Sequence, residues 1–260
     1  MAPLLGKPAL DPETTTILVT GASGHIAGHI VNEALKLGYK VRGTARTQEK
    51  CEKTKKIYDN PKYSTVIVSD FSKPSHEIED AVKGVQSVMM VASDTTFSDD
   101  AEQVIGGVVA GVEAFLKAAA KQESVKRFTL TSSSTAVLVP RPGVEVTVGT
   151  DTWDDEAVEG AWTRKGQGIG VNPYAFVVYA ASKTEGERAM WKFLEREKPG
   201  FVCNAVLPNM NMGKVLEGGS TGATGGVMID LFKEGKKADF LPPRECPLLC
   251  LAAVGCANMG

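Results

Sequence analysis

The 260 residues contain no Cys-x-x-Cys pair, only three histidines and no excess of either charge, with 29 Lys+Arg against 31 Asp+Glu for a net −2. The five cysteines, at 51, 203, 246, 250 and 256, are odd in number and have no histidine cluster beside them. A disulfide framework or a zinc site is therefore not expected, and reduced thiols are the default. Balanced charge and a pI near 6.0 provide no electrostatic footprint for nucleic acid or anionic lipid, so neither partner is expected. Long apolar runs are also missing. Pro3, Pro8, Pro12, Asp11 and Glu13 occupy the place where a signal peptide needs an apolar centre, so 1–15 reads as a solvated leader. The most apolar later stretch, 248–257, is about half of what spans a bilayer. No membrane segment and a cytoplasmic location follow as expectations.

What is present is a globular composition, 43% hydrophobic and 23% charged, in which short β-prone runs alternate with amphipathic stretches. Thr16 to Thr20 is a strand, followed at once by Gly21-Ala-Ser-Gly24-His-Ile-Ala27-Gly28 and a helix to Leu37, with Gly38 behind it. Further strands are expected at 40–44, 65–69, 87–92, 127–131 and 201–207, and helices at 48–57, 75–83, 100–121 and 179–196. This order calls for right-handed crossovers and a doubly wound, Rossmann-type α/β parallel sheet over 16–207. Residues 140–178 break the pattern and read as a long substrate-side excursion. Residues 208–260, with one short helix at 227–235, read as a small, truncated C-terminal substrate lobe.

Three features carry chemistry. The first glycine turn, with Gly21, Gly24 and Ala27 at the fingerprint positions, joins the first strand to the first helix. There a backbone without side chains approaches a pyrophosphate at a helix N-terminus. The second strand ends in Val41-Arg42-Gly-Thr-Ala-Arg46 with no acidic residue before Glu49. An acid there would hold the ribose hydroxyl of NAD, whereas Arg42 and Arg46 suit the 2′-phosphate of NADP. Asp70, at the third strand end, is placed for the adenine side. The third feature is Tyr179-Ala-Ala-Ser-Lys183, an i,i+4 pair on one helix face. A neighbouring ammonium lowers a phenol's pKa toward working pH. Tyr58-x-x-x-Lys62 has the same spacing, but Asn60 and Pro61 break the helix that would align it. The run Leu130 to Thr135 ends the fifth strand in serines, where a carbonyl polariser would stand.

In this order and on these elements the motifs resemble the extended short-chain dehydrogenase/reductase superfamily. Gly38 to Arg46, Val125 to Ser133, Tyr179 to Thr184 and Asn204 to Asn209 look like its dihydroflavonol-4-reductase-like branch, and are similar to the fungal NADPH-dependent aldehyde and carbonyl reductases within it. The resemblance covers about 15–243. It implies NADP(H) as cofactor, a small-molecule carbonyl substrate, and a Ser133-Tyr179-Lys183 set in which Ser132 is the alternative serine. Cofactor contacts would fall on Gly21, Ser23, Gly24, Ile26, Arg42, Arg46, Asp70, Phe71, Ala92, Ser93 and Pro208. The implied reaction is hydride transfer to a carbonyl carbon.

His25 stands where that family has an aromatic residue, which points to packing or surface. Past Arg244 the family's continuation is replaced by a cysteine-rich, apolar segment to Gly260, which suggests a truncated or differently spliced reading frame. Trp153, Trp162, Phe176, Met210 and Met212 fall in segments expected near the substrate. Two other readings share the fold: a nucleotide-sugar epimerase or dehydratase, and a non-redox NADP-binding protein or repurposed biosynthetic enzyme. Monomer and homodimer are equally open.

Overall fold

The computed structural model describes residues 10–229, except 140, 142, 164, 170, 171, 212, 223, 227 and 228, together with the backbone of 253–255. Apart from 253–255, the tail beyond Arg244 lies outside the described residues, as does most of the expected helix at 227–235. So do Met212 and cysteines 246, 250 and 256.

The chain runs β1 (Thr16–Val19), α1 (His25–Lys36), β2 (Lys40–Ala45), α2 (Gln48–Tyr58), β3 (Tyr63–Ile67), α3 (His76–Val82) and β4 (Ser87–Met90). It continues with α4 (Ala101–Ala120), β5 (Arg127–Thr131), α5 (Asp155–Thr163), α6 (Tyr174–Glu197), β6 (Val202–Leu207) and β7 (Ala253–Gly255). The strand order is β3-β2-β1-β4-β5-β6-β7, parallel throughout except for the antiparallel edge pair β6–β7. Chain order reverses between β1 and β4, so a crevice opens at the carboxyl ends of those two strands.

Alternation along β1 sorts side chains to two cores. Ile17 and Val19 join Ala27, Val31, Val41 and Tyr63 on the α1 face, whereas Leu18 joins Val88, Phe115, Phe128 and Met190 under α3, α4 and α6. Burial on both faces explains why these strands read as continuous apolar runs. Cys203, on β6, is buried in the larger core, which pushes its thiol up to about 12.

Several boundaries differ from the sequence reading, each for a local reason. β3 begins two residues earlier, because Tyr63 pairs with Val41 and its ring packs on Tyr58; it ends at Ile67, which places Asp70 in the following turn. β4 stops at Met90, since the next two amides, Val91 and Ala92, turn to the Thr20 hydroxyl. α6 begins at Tyr174, started by Pro173, whose fixed φ suits a helix entry. Tyr179 therefore lies in the second turn and not at the start. The excursion holds α5 and a short Ile169–Asn172 bridge, both packed on α6. α4 is 20 residues long with mean hydropathy 1.4, enough by length and composition to cross a membrane; here Val112, Phe115, Leu116 and Ala119 lie in the sheet core.

Candidate active site

The glycine turn is tied to its neighbours through threonines. Thr20, fully buried, accepts the Val91 and Ala92 amides at 2.9 Å each, locking the ends of β1 and β4 together. The Gly21 amide donates to Thr44 Oγ1 at 2.9 Å and the Ala22 amide to the Thr44 carbonyl. Gly21 has φ +66°, and a Cβ there would stand 3.1 Å from that of Ala92. Only glycine meets both conditions. α1 then starts at Gly24 with no side-chain cap and no acidic residue in its first turn, whereas α2, α3 and α4 are capped by Thr47, Ser75 and Asp100. An uncapped positive helix end at the carboxyl edge of a parallel sheet suits a pyrophosphate. Ser23 and Ile26 sit half-buried in the same turn.

The two arginines separate. Arg42 faces α3, and its guanidinium donates to the carbonyls of Asp80, Ala81 and Lys83 at 3.4, 2.9 and 2.8 Å. Nη1 alone makes these bonds and caps the end of that helix, so the expected phosphate contact would have to come from Nε or Nη2. Arg46, past the strand end, is exposed and has no ion-pair partner among the described residues. Asp70 accepts from the Ser72 amide and hydroxyl and pairs with Lys73, interactions that hold its carboxyl down at about 2. The Phe71 ring stacks on Phe115 against the core, and its carbonyl oxygen faces Gly111 of α4. Ser93 Oγ is buried without a hydrogen-bond partner among the described residues. The Pro208 carbonyl accepts the Ser134 amide at 3.0 Å.

At the end of β5, Ser132 and Ser133 are both buried but point to different partners. Ser133 Oγ receives the Thr135 hydroxyl at 3.0 Å and is the neighbour that acts against the upward shift of the Tyr179 phenol. Ser132 Oγ lies beside Glu187 and closes no bond. Lys183, 6% exposed, donates to the Thr131 carbonyl at 3.5 Å, and its ammonium stands 5.7 Å from the Tyr179 ring centre. The i,i+4 pair thus meets the Ser133 side of the strand end. Its electrostatics differ from the sequence expectation. Burial raises the Tyr179 phenol, and the opposing influence is the Ser133 hydrogen bond and not Lys183. Burial also pushes Lys183 down to about 8, against the charges of Asp94 and Glu187. The phenol is therefore held protonated at neutral pH.

The decoy pair comes apart as expected: the Tyr58 hydroxyl donates to the Ala22 carbonyl and Lys62 to that of Gly38. Trp153 lies under the Arg188 guanidinium and Trp162 is exposed, so neither joins Tyr179, whereas Phe176 does. Sequence reasoning missed Phe97, which has φ +53°, stacks on Phe176 at 6.4 Å and packs on Tyr179 at 5.0 Å. A phenylalanine in the left-handed region is strained and marks a site, yet nothing in its sequence neighbourhood signals that conformation. It also missed the path of 214–222. His29 donates to the Lys214 carbonyl at 2.7 Å and His25 to that of Ser220 at 3.2 Å, bringing Gly219 and Ser220 to the cavity beside Ser23 and Gly24. This gives the expected packing role of His25 a partner.

Comparison with known proteins places this geometry. The NAD(P)H-binding family matches residues 21–167. Aldehyde reductase 2 of Sporidiobolus salmonicolor is 39% identical over 230 residues, covering 86% of this chain and 66% of that protein. An NAD-dependent epimerase/dehydratase of Aspergillus terreus is 37% identical, covering 90% and 68%. The crystal structure of yeast methylglyoxal/isovaleraldehyde reductase Gre2 complexed with NADPH is 33% identical at a TM-score of 0.65, covering 76% of this chain and 59% of that one. The chain thus spans about two thirds of the length of these curated relatives.

Proposed function

This chain belongs to the NAD(P)H-binding family, in the dihydroflavonol-4-reductase-like branch of the extended short-chain dehydrogenases/reductases, and on that premise we propose that it reduces an aldehyde or ketone to the alcohol with NADPH. The observation that carries this reading is the convergence of Ser133, Tyr179 and Lys183 at the end of β5.

The uncapped α1 end, Gly21, Ser23 and Gly24 fit a pyrophosphate, and Arg46 fits a 2′-phosphate. Ile26, Ala92, Ser93 and Pro208 border the same crevice; Asp70 is assigned to the adenine side. Bound there, NADPH supplies the hydride that adds to the carbonyl carbon. The protein does the rest. Tyr179 donates its phenolic proton to the oxygen as the alcohol forms, and the raised phenol keeps that proton available at neutral pH. Ser133 polarises the carbonyl by a hydrogen bond, and Lys183 stabilises the phenolate left behind. Phe97 and Phe176 flank Tyr179 with aromatic faces, which favours an apolar or aromatic carbonyl compound. An epimerase or dehydratase reading has less support: Thr135, two residues past Ser133, turns back to the serine hydroxyl and no carboxylate stands there. We place the working enzyme in the cytoplasm.

Tyr179→Phe tests the assignment. Removing the proton donor is expected to lower kcat/KM for aldehyde reduction by roughly 10²–10⁴-fold while NADPH affinity, read by quenching of tryptophan emission, stays within about twofold. Persistent turnover in that variant would overturn the role of Tyr179. Absence of turnover in the unaltered chain, with NADPH bound, would favour the non-redox reading.

A further inference from the structure

The proposed reaction leaves one ionisable side chain of α6 near the end of β5 without a role. Glu187 lies one turn beyond Lys183 on the same helix face and is 6% exposed. The Trp191 indole N–H donates to its Oε1 at 3.2 Å. Its Oε2 is buried with no partner within 3.5 Å among the described residues, and the Ser132 hydroxyl beside it, unpaired at that distance, acts only to lower the carboxyl's pKa. Among the described residues Lys183, with three donors, closes a single long bond, to the Thr131 carbonyl.

A half-satisfied buried carboxylate is a costly way to fill space, and a methionine or leucine would pack the same volume at less expense. The neighbouring buried ammonium has the opposite need. Desolvation drives a lysine neutral unless negative charge faces it. The groups that face Lys183 are Tyr179 and Glu187 from its own helix, Asp94 from the loop after β4, and Thr131 from β5. Asp94 is held in place by the Thr96 amide and hydroxyl at 2.8 and 2.6 Å. Only Glu187 and Asp94 carry negative charge, and neither forms an ion pair with the lysine.

We propose that Glu187 is a positioning residue for carbonyl reduction, whose carboxylate, one turn from Lys183 and short of contact with it, supplies the field that keeps the lysine charged beneath Tyr179. The catalytic consequence rests on the reductase reading; the electrostatic role does not. Burial pushes Lys183 down to about 8 even with both carboxylates present, Asp94 acting more strongly than Glu187, so loss of either one lowers it further. Burial raises Glu187 itself, with Lys183 acting against that shift, as mutual support between the two charges requires.

The test is an NMR titration of the full chain labelled at lysine Cε, with the Lys183 resonance identified by its loss in Lys183→Met. Glu187→Gln, which still accepts the Trp191 bond, is expected to move the Lys183 midpoint down by about one pH unit, a tenfold loss of ammonium above it. Glu187→Asp keeps the charge and should restore most of that shift. Asp94→Asn should move the midpoint in the same direction. The alkaline limb of kcat/KM for aldehyde reduction should follow these midpoints. If Glu187→Gln does not fold, Glu187→Met buries no unpaired amide and reads the same quantity. An unchanged midpoint in a folded Glu187 variant overturns the proposal, even if kcat falls, because a packing role alone would do that. A shifted midpoint in a chain that reduces no carbonyl compound removes the reductase reading and leaves the charge coupling standing.

Discussion

Arg42 lies within β2 and Arg46 just past its end, and the two have different surroundings. Three carbonyls at the end of α3 hold Arg42, and hydrogen bonds from a charged donor are worth about 1.5–3 kcal/mol. Arg42→Ala should therefore lower the thermal midpoint by about 3–10 °C without changing the ratio of NADPH to NADH affinity. Arg46→Ala should do the reverse, weakening NADPH by about tenfold, the loss of one charged phosphate contact, with NADH and the melting midpoint unchanged. Parallel titrations and melts of the two variants decide this. If Arg42→Ala loses NADPH selectivity, its place at the end of α3 is exchanged for the phosphate on binding, and the division proposed for the pair is wrong.

Among the elements, α4 joins the two halves of the larger core. Its small residues let other chain segments approach, and the cost of filling those gaps differs by position. A Cβ at Gly111 would stand 2.3 Å from the Phe71 carbonyl oxygen, a backbone atom, whereas one at Gly106 would meet nothing within 4 Å. Gly111→Ala should destabilise the protein by about 1–3 kcal/mol through forced displacement of the 70–72 turn. Gly106→Ala, on the exposed side of the same helix, should stabilise by up to about 1 kcal/mol through helix propensity. Urea midpoints measure both, and equal shifts would refute the packing of Phe71 over α4. The same burial explains the apolar character of α4, a 20-residue helix that otherwise reads like a membrane span.

For the whole molecule, the crevice between β1 and β4 is held by contacts from both halves of the sheet, since Thr20 bonds β4's exit and Thr44 bonds the glycine turn. A dinucleotide seated there binds the folded chain and not the unfolded one. At a hundredfold excess over Kd this linkage adds about 2.7 kcal/mol, so NADPH should raise the thermal midpoint by about 5–10 °C. NADH at the same concentration should raise it less. A midpoint indifferent to both nucleotides would mean that the crevice of this chain does not accept them.

The sequence by itself determined the six parallel strands but not the antiparallel edge strand β7, because a doubly buried parallel strand must be apolar along its whole length and the punctuation between strands is local: Gly21 and Gly24 at a turn, Gly38 past a helix end, Pro173 before α6. It also located the Tyr179–Lys183 pair, since i,i+4 spacing on a helix survives any tertiary arrangement. Three features were decided only in three dimensions. Arg42 and Arg46 are alike in sequence, and the chain's path brought the α3 carbonyls to one of them. The proposed preference for Ser133 over Ser132 rests on the neighbour each hydroxyl acts on, Tyr179 for one and Glu187 for the other. The direction of the phenol's shift depended on desolvation, which opposed the influence expected from an adjacent lysine and outweighed the Ser133 hydrogen bond. Phe97 and Glu187 belong with these, because backbone strain and the burial of a carboxylate arise from neighbours distant in the chain, and a pattern confined to adjacent residues carries no record of them.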